Sequence, residues 1–273
     1  MKLGGRTAVI TGAGSGIGRG IAQALAKRGC NLALADVNQA GINETAGMVG
    51  SVTVSRHRID VGDCAQCLAL PAAVLAEHGR VDLLFNNAGV AIGGTFEQVD
   101  EADFDWLMRI NFSAVVRLTR AFLPHLRTRD EARIVNTSSL FGLIAPPGQT
   151  AYCASKFAVR GFSESLRNEL AQAGSKVGVT VVHPGGISTS IARNARGPKH
   201  VTNAEAVEAQ KMSAQFEKKF LKMPPERAGE IIVSGVEKNR SRIIVGNDAK
   251  FGALIERLAP TNYWKFLGRS FSA

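Results

Sequence analysis

Cysteine and long apolar runs are both scarce in this chain. Four cysteines (Cys30, Cys64, Cys67, Cys153) in 273 residues do not make a disulfide framework, so a reducing, cytoplasmic compartment is expected. Cys64-Ala-Gln-Cys67 has the spacing of half a zinc site, but His57 and His78 do not supply a second ligand pair at the usual spacing. Structural thiols are therefore expected there, and no metal. The longest apolar stretches, such as Leu68 to Ala76 broken by Pro71, fall well short of the ~18 residues a membrane-spanning helix needs. Lys2 is followed by glycines and a strand-like stretch, not by an apolar run with a small-residue cleavage site, so no secretory signal is expected. Basic repeats interleaved with aromatics are also missing, which argues against nucleic acid.

What is present describes a soluble globular chain: 45% hydrophobic and 21% charged residues, with a formal net charge of +10. The charge is unevenly placed. Residues 1–192 hold 18 Lys+Arg against 15 Asp+Glu, and residues 193–273 hold 15 against 8, so most of the excess lies in the last third. That excess is a nucleic-acid or membrane footprint, or only a solvated face.

Short β-branched or apolar runs alternate with helical stretches. Strands are predicted at Arg6 to Thr11, Asn31 to Asp36, Val52 to Asp60, Val81 to Asn86, Arg133 to Ser138, Gly178 to His183 and Arg242 to Gly246. Helices are predicted at Gly16 to Arg28, Asn38 to Val49, Cys64 to His78, Ala102 to Leu126, Ala151 to Gln172, Ala204 to Leu221 and Pro225 to Lys238. Ala8-Val9-Ile10 and Leu32-Ala-Leu-Ala35 read as strands buried on both faces. The expected class is α/β: one Rossmann-like, doubly wound parallel sheet of about seven strands with helices on both faces, forming a single domain over residues 1–273. Two segments depart from the rhythm, an insertion at 185–224, placed as a substrate lid, and a C-terminal extension at 247–273.

Thr11-Gly12-Ala13-Gly14-Ser15-Gly16-Ile17-Gly18 joins the first strand to the first helix, where glycines let a pyrophosphate approach free backbone N–H groups. Asp36 ends the second strand, placed to accept hydrogen bonds from the hydroxyls of an adenosine ribose. That favours NAD. Arg19 keeps NADP possible, and a helix N-cap is the alternative reading of Asp36. Tyr152 and Lys156 lie one turn apart on a helix, where an ammonium favours the phenolate. Lowering a phenol by about three units asks for roughly 4 kcal/mol. Ser139 ends the fifth strand, and Asn111 sits inside a long helix, a poor place for asparagine by propensity.

This set resembles the short-chain dehydrogenase/reductase family in its single-domain branch. The resemblance runs from Arg6 to Gly246 and rests on order and spacing: the turn at Thr11 to Gly18, Asp60-Val61, Asn86-Asn87-Ala88-Gly89, Asn111, Ser139, Tyr152-x-x-x-Lys156, and Pro184-Gly185 followed by Thr189. It implies that Gly12, Ser15, Gly16, Ile17, Gly18 and Asp36 hold the pyrophosphate and adenosine ribose. Asp60 and Val61 would flank the adenine, and Asn87 and Gly89 would close over the adenosine side. Pro184, Ile187 and Thr189 would meet the carboxamide end. Tyr152 would be the general acid/base, with Lys156 on the nicotinamide ribose, Ser139 on the substrate oxygen and Asn111 supporting a water next to Lys156. It also implies a dimer or tetramer through the helices Ala102 to Leu126 and Ala151 to Gln172.

Leu140 to Ala151 carries no charge, and the insertion offers Ile191, Met212, Phe216 and Phe220, so a small lipophilic secondary alcohol or ketone is the expected substrate. The extension repeats apolar residues at Phe251, Leu254, Ile255 and Leu258, then at Tyr263, Trp264, Phe266, Leu267 and Phe271, among Lys265 and Arg269. It covers the cleft, packs across a subunit interface or rests on a membrane surface. A carrier-protein-dependent 3-ketoacyl reductase is the alternative enzyme. An inactive dinucleotide sensor or nucleic-acid module is the alternative outside enzymes.

Overall fold

Strands as apolar as β1 (Thr7–Thr11) and β2 (Asn31–Asp36) are stable only with both faces covered, and that requirement organises the molecule. The computed structural model is described over residues 1–272, apart from the side chains of residues 203, 206, 209, 212, 213, 216, 217 and 269–272. The side chains of Met212, Phe216 and Phe271 therefore lie outside the described residues.

β3 (Val54–Arg58), β4 (Leu83–Asn86), β5 (Ala132–Thr137), β6 (Val177–Pro184) and β7 (Arg242–Val245) complete one parallel sheet in the order β3-β2-β1-β4-β5-β6-β7. The Rossmann-like, single-domain class expected from the alternation is the one that forms. The helices are α1 (Gly16–Ala26), α2 (Gln39–Gly47), α3 (Cys64–His78), α4 (Glu101–Met108), α5 (Ala114–Leu126), α6 (Thr150–Gln172), α7 (Asn203–Phe220), α8 (Pro225–Glu237), α9 (Asn247–Leu258) and α10 (Tyr263–Ser272).

One core layer joins Ile10, Leu34 and Phe85 of the sheet to Ile21 and Leu25 of α1 and Ile232 and Val236 of α8. The opposite layer joins Val9, Leu84 and Ile134 to Leu70 and Val74 of α3, Leu118 and Phe122 of α5 and Leu170 of α6. Each such buried side chain contributes about 1.5–3 kcal/mol relative to exposure. α1 and α8 touch through glycines: a Cβ on Gly229 would lie 2.1 Å from the Gly20 carbonyl carbon. α3 starts where the Asp63 carboxylate accepts the N–H groups of Ala65 and Gln66, and stops at Gly79 in the left-handed region.

Most boundaries shift by one or two residues from the sequence expectation, and two of the differences have a clear local reason. β3 ends at Arg58, short of Asp60, because the Asp60 N–H turns to Gln66 Oε1 and its carboxylate accepts the Gly62 N–H. The single helix expected at Ala102 to Leu126 is α4 and α5 joined by a π-helical turn, Arg109–Ser113. That wide turn contains Asn111, whose side chain bonds outside the helix.

The chain leaves β1 toward β2 and β3, then returns through α3 to β4 on the other side of β1. A crevice therefore opens beyond the carboxyl ends of β1 and β4, where such sheets bind ligands. Among the described residues, no helix is long and apolar enough to cross a membrane.

Candidate active site

Two glycines of the turn after β1 have no room for a side chain. Gly12 has φ +67°, and a Cβ on it would sit 2.9 Å from Ala88 Cα; a Cβ on Gly18 would sit 2.0 Å from the Gly12 carbonyl oxygen. Ser15 precedes α1 in extended conformation and makes no side-chain cap, which leaves the first-turn N–H groups to an anion. Ile17 packs on the core below, and Gly16 abuts Thr189 Cγ2. This cradle fits a dinucleotide pyrophosphate.

Asp36 is not a helix cap, since Asn38 caps α2 by accepting the Gly41 N–H. The Asp36 carboxylate instead accepts the Gly14 N–H at 2.9 Å and the Asn38 N–H at 2.9 Å, which ties the end of β2 to the glycine turn. Arg19 is engaged by Glu44, by Thr45 Oγ1 and by the Gly14 carbonyl. Val61 is buried, and Asp60 follows β3 on the same side of the crevice as Asp36.

Beyond β4, Thr11 Oγ1 accepts the N–H groups of Asn87 and Ala88, and Asn87 Nδ2 donates to the Thr11 carbonyl. Gly89 follows at a crowded point. A Cβ there would lie 3.2 Å from Asn111 Oδ1 and 3.4 Å from Lys156 Nζ, so both polar groups face the same glycine. Asn111 accepts the Val90 N–H and donates to the Val90 carbonyl and to Ser155 Oγ. The π-helical turn is what aims it there.

Tyr152 lies at the start of α6, its phenol facing the Ser139 side chain and its ring edge-on to Phe141 at 6.2 Å. Burial pushes its phenol up to about 12, against the Ser139 hydroxyl, which favours the phenolate. Lys156 is 3% exposed, with Nζ 5.5 Å from the Tyr152 ring centre and donating to the Thr137 carbonyl. Burial pulls its ammonium down to about 8. The electrostatics therefore run against the simple expectation: in the protein's own field the phenol is harder to ionise, not easier.

Pro184 ends β6 beside Val245, and the chain then enters the insertion. Ile187 is buried and bridges Met223, and the Ser188 N–H donates to the Met223 carbonyl, so the insertion leaves and returns at one place. Its first part crosses the crevice mouth: the Arg196 N–H donates to the Ala91 carbonyl, and the Gly93 N–H donates to the Arg196 carbonyl. The Arg196 guanidinium stacks 3.5 Å over Trp106 and bonds Asp103, while Lys199 reaches Asp100 and Asp103. The Lys199 hydrogen bond holds the Asp103 carboxyl below the usual range.

Several participants carry no sequence motif. Ser138 Oγ donates to the Lys156 carbonyl and pins β5 to α6. Tyr263 of α10 accepts the Ala145 N–H at 3.0 Å, and Leu267 packs with Leu140 and Ile144 behind the Ser139 loop. Asp248 of α9 accepts the Gly186 N–H at the root of the insertion. The signal that pointed to Tyr263 and Leu267 was the apolar stripe of the extension, which marked them as a candidate cleft cover and carried nothing about the Ala145 hydrogen bond.

The family described as short chain dehydrogenase matches residues 6–199. A Mycobacterium tuberculosis protein named as the oxidoreductase SadH is 42% identical over 265 residues, covering 96% of this chain and 94% of its own. A short-chain dehydrogenase/reductase from Burkholderia phymatum in complex with NAD superposes with a TM-score of 0.87 at 30% identity, covering 94% of this chain and 95% of its own. A metagenomic short-chain oxidoreductase in complex with NADP gives 0.71 at 27%, covering 90% and 98%.

Proposed function

This chain belongs to the short-chain dehydrogenase/reductase family of oxidoreductases, and on that premise we propose that it interconverts a lipophilic secondary alcohol and its ketone, with Tyr152 as general acid/base. The observation that supports this most is the grouping of Tyr152, Ser139 and Lys156 at one end of the crevice whose other end is the glycine cradle. Gly12, Ser15, Gly16, Ile17, Gly18 and Asp36 would hold the pyrophosphate and adenosine ribose, with Asp60, Val61, Asn87 and Gly89 around the adenosine. Lys156, Pro184, Ile187 and Thr189 would hold the nicotinamide end. When bound, the nicotinamide supplies or accepts the hydride at its C4.

Ser139 would orient the substrate oxygen toward Tyr152. In reduction, the neutral phenol gives its proton to the forming alkoxide, a task its raised pKa suits. In oxidation, Tyr152 must act as phenolate. Moving it from about 12 to near neutrality requires on the order of 7 kcal/mol from the Lys156 ammonium and the positive charge of an oxidised cofactor. Asn111 and Lys156 both face Gly89, which suits a proton path from the ribose side to solvent.

NAD is preferred in this reading because Asp36 ends β2 and Arg19 is engaged by Glu44, although a structural neighbour binds NADP. The lipophilic substrate is supported by the uncharged Leu140–Ala151 loop, backed by Tyr263, Trp264 and Leu267. Free thiols at all four cysteines favour a cytoplasmic setting. A homo-oligomer through α5 and α6 fits the exposed Phe157. The exposed Phe251, Leu254 and Leu258 leave the extension available for a subunit or peripheral membrane contact.

The test is turnover with NAD and NADP over a panel of secondary alcohols, beside Tyr152→Phe. Wild-type turnover that falls by at least about a thousandfold in the variant, with NAD binding kept, supports the reading; normal turnover in the variant ends it.

A further inference from the structure

His183 lies on β6, fully buried, one residue before Pro184. Its Nδ1 is 2.9 Å from the Ser139 carbonyl oxygen, across 44 residues of sequence. A carbonyl only accepts, so Nδ1 must carry the proton in this contact. The other ring nitrogen, Nε2, is buried without a hydrogen-bond partner among the described residues. Burial pulls the imidazole down to about 4, with Arg242 and Arg160 adding to the effect and Glu164 opposing it, so the ring is neutral at working pH. An apolar residue would avoid the unpartnered nitrogen. What the histidine adds is one donor, aimed at the backbone of the serine that faces Tyr152.

The Ser139 carbonyl also accepts the Gly142 N–H at 3.0 Å, and Ser139 Oγ accepts the Phe141 N–H at 3.1 Å. The tight turn after β5 is thus fixed within itself and joined to β6 by the Ser138 N–H, which donates to the Val182 carbonyl at 2.8 Å; His183 adds the side-chain link to the Ser139 carbonyl itself. We propose that His183 is a positioning residue: its Nδ1–H locks the Ser139 peptide to β6 and so sets where the serine hydroxyl meets Tyr152 and the substrate oxygen. This rests on the role given to Ser139 above.

Two measurements test it, one independent of turnover. In a ¹⁵N-histidine NMR spectrum, assigned with His183→Asn, the His183 ring is expected as the neutral tautomer protonated at Nδ1. An Nε2-protonated ring overturns the proposal whatever the activity proves to be. In kinetics, His183→Leu is expected to lose kcat by on the order of 10–100-fold with the Kd for NAD unchanged, as for a small displacement of a reacting group. His183→Asn, whose amide N–H falls near the position of Nδ1, should recover to within about threefold, and His183→Gln, whose amide reaches toward Nε2, should not. Should the leucine variant fail to fold, the Asn and Gln pair decides. Equal kcat in those two, or an unaltered kcat in a folded leucine variant, contradicts the assignment.

Discussion

The cofactor end of the crevice, at β1 and β2, is shaped by backbone, whereas the substrate end, beyond β5 and β6, is assembled from side chains far apart in sequence. At the first, Gly12 and Gly18 of a single short turn leave no room for a methyl group. At the second, Arg196 meets Asp103 across 93 residues, Asp248 meets Gly186 across 62, and Tyr263 meets Ala145 across 118. A wall made of backbone has no graded states, so single changes there should be all or nothing. A wall made of reaching side chains can be retuned one contact at a time.

The largest effect should come from Gly18→Val, which forces atoms into the Gly12 carbonyl. NAD affinity should weaken on the order of 100-fold or more, about 2.7 kcal/mol, in a chain that circular dichroism shows folded. Titration of NAD by fluorescence checks this, and near-normal affinity would break the contrast between the two ends.

Lys156→Met comes next, because it separates function from stability. Turnover should fall on the order of 100-fold or more. The folded ammonium sits at about 8 against an ordinary 10.5, so between those pH values the unfolded chain binds more protons and wild-type stability rises with pH. Below about pH 8 the full burial cost is present, on the order of 3 kcal/mol by 1.36 per unit. The methionine variant should therefore show a higher Tm at pH 7 and lose the rise between pH 8 and 10.5, as read by calorimetry across that range.

Arg196→Ala should act on the substrate end alone. Asp103 keeps Lys199 as a partner, so the loss is the guanidinium stack on Trp106 and one ion pair, about 1–2 kcal/mol. KM for the alcohol should rise about 3–10-fold with the Kd for NAD unchanged. Smallest is Tyr263→Phe, which removes one hydrogen bond to the Ala145 N–H, worth about 1 kcal/mol. The ratio of kcat/KM between a bulky and a small alcohol should shift a few-fold. An equal shift for both alcohols would detach α10 from the substrate wall.

The same contrast explains what was legible beforehand. The sheet, the glycine turn, Asp36 and the Tyr152/Lys156 pair depend on periodicity and short spacing, which survive in the one-dimensional record. The break in the helix around Asn111 was not legible, because a π-helical turn is set by what the asparagine bonds, Val90 and Ser155, and not by its neighbours in sequence. Nor were the Arg196 clasp, the Asp248 contact and the Tyr263 contact, whose partners are fixed only once the sheet has formed. The direction of the Tyr152 shift was missed for a related reason. Spacing shows that Lys156 is near, but the burial that raises the phenol, against the Ser139 hydroxyl, is a property of the surrounding fold.

The most direct test of the account is a steady-state measurement of NAD reduction by a lipophilic secondary alcohol, followed by the near-ultraviolet absorbance of the reduced nicotinamide, in wild type and in Tyr152→Phe. The account predicts turnover in the wild type, its loss in the variant by at least about a thousandfold, and equal NAD affinity in both. A phenylalanine variant that turns over like the wild type would contradict it.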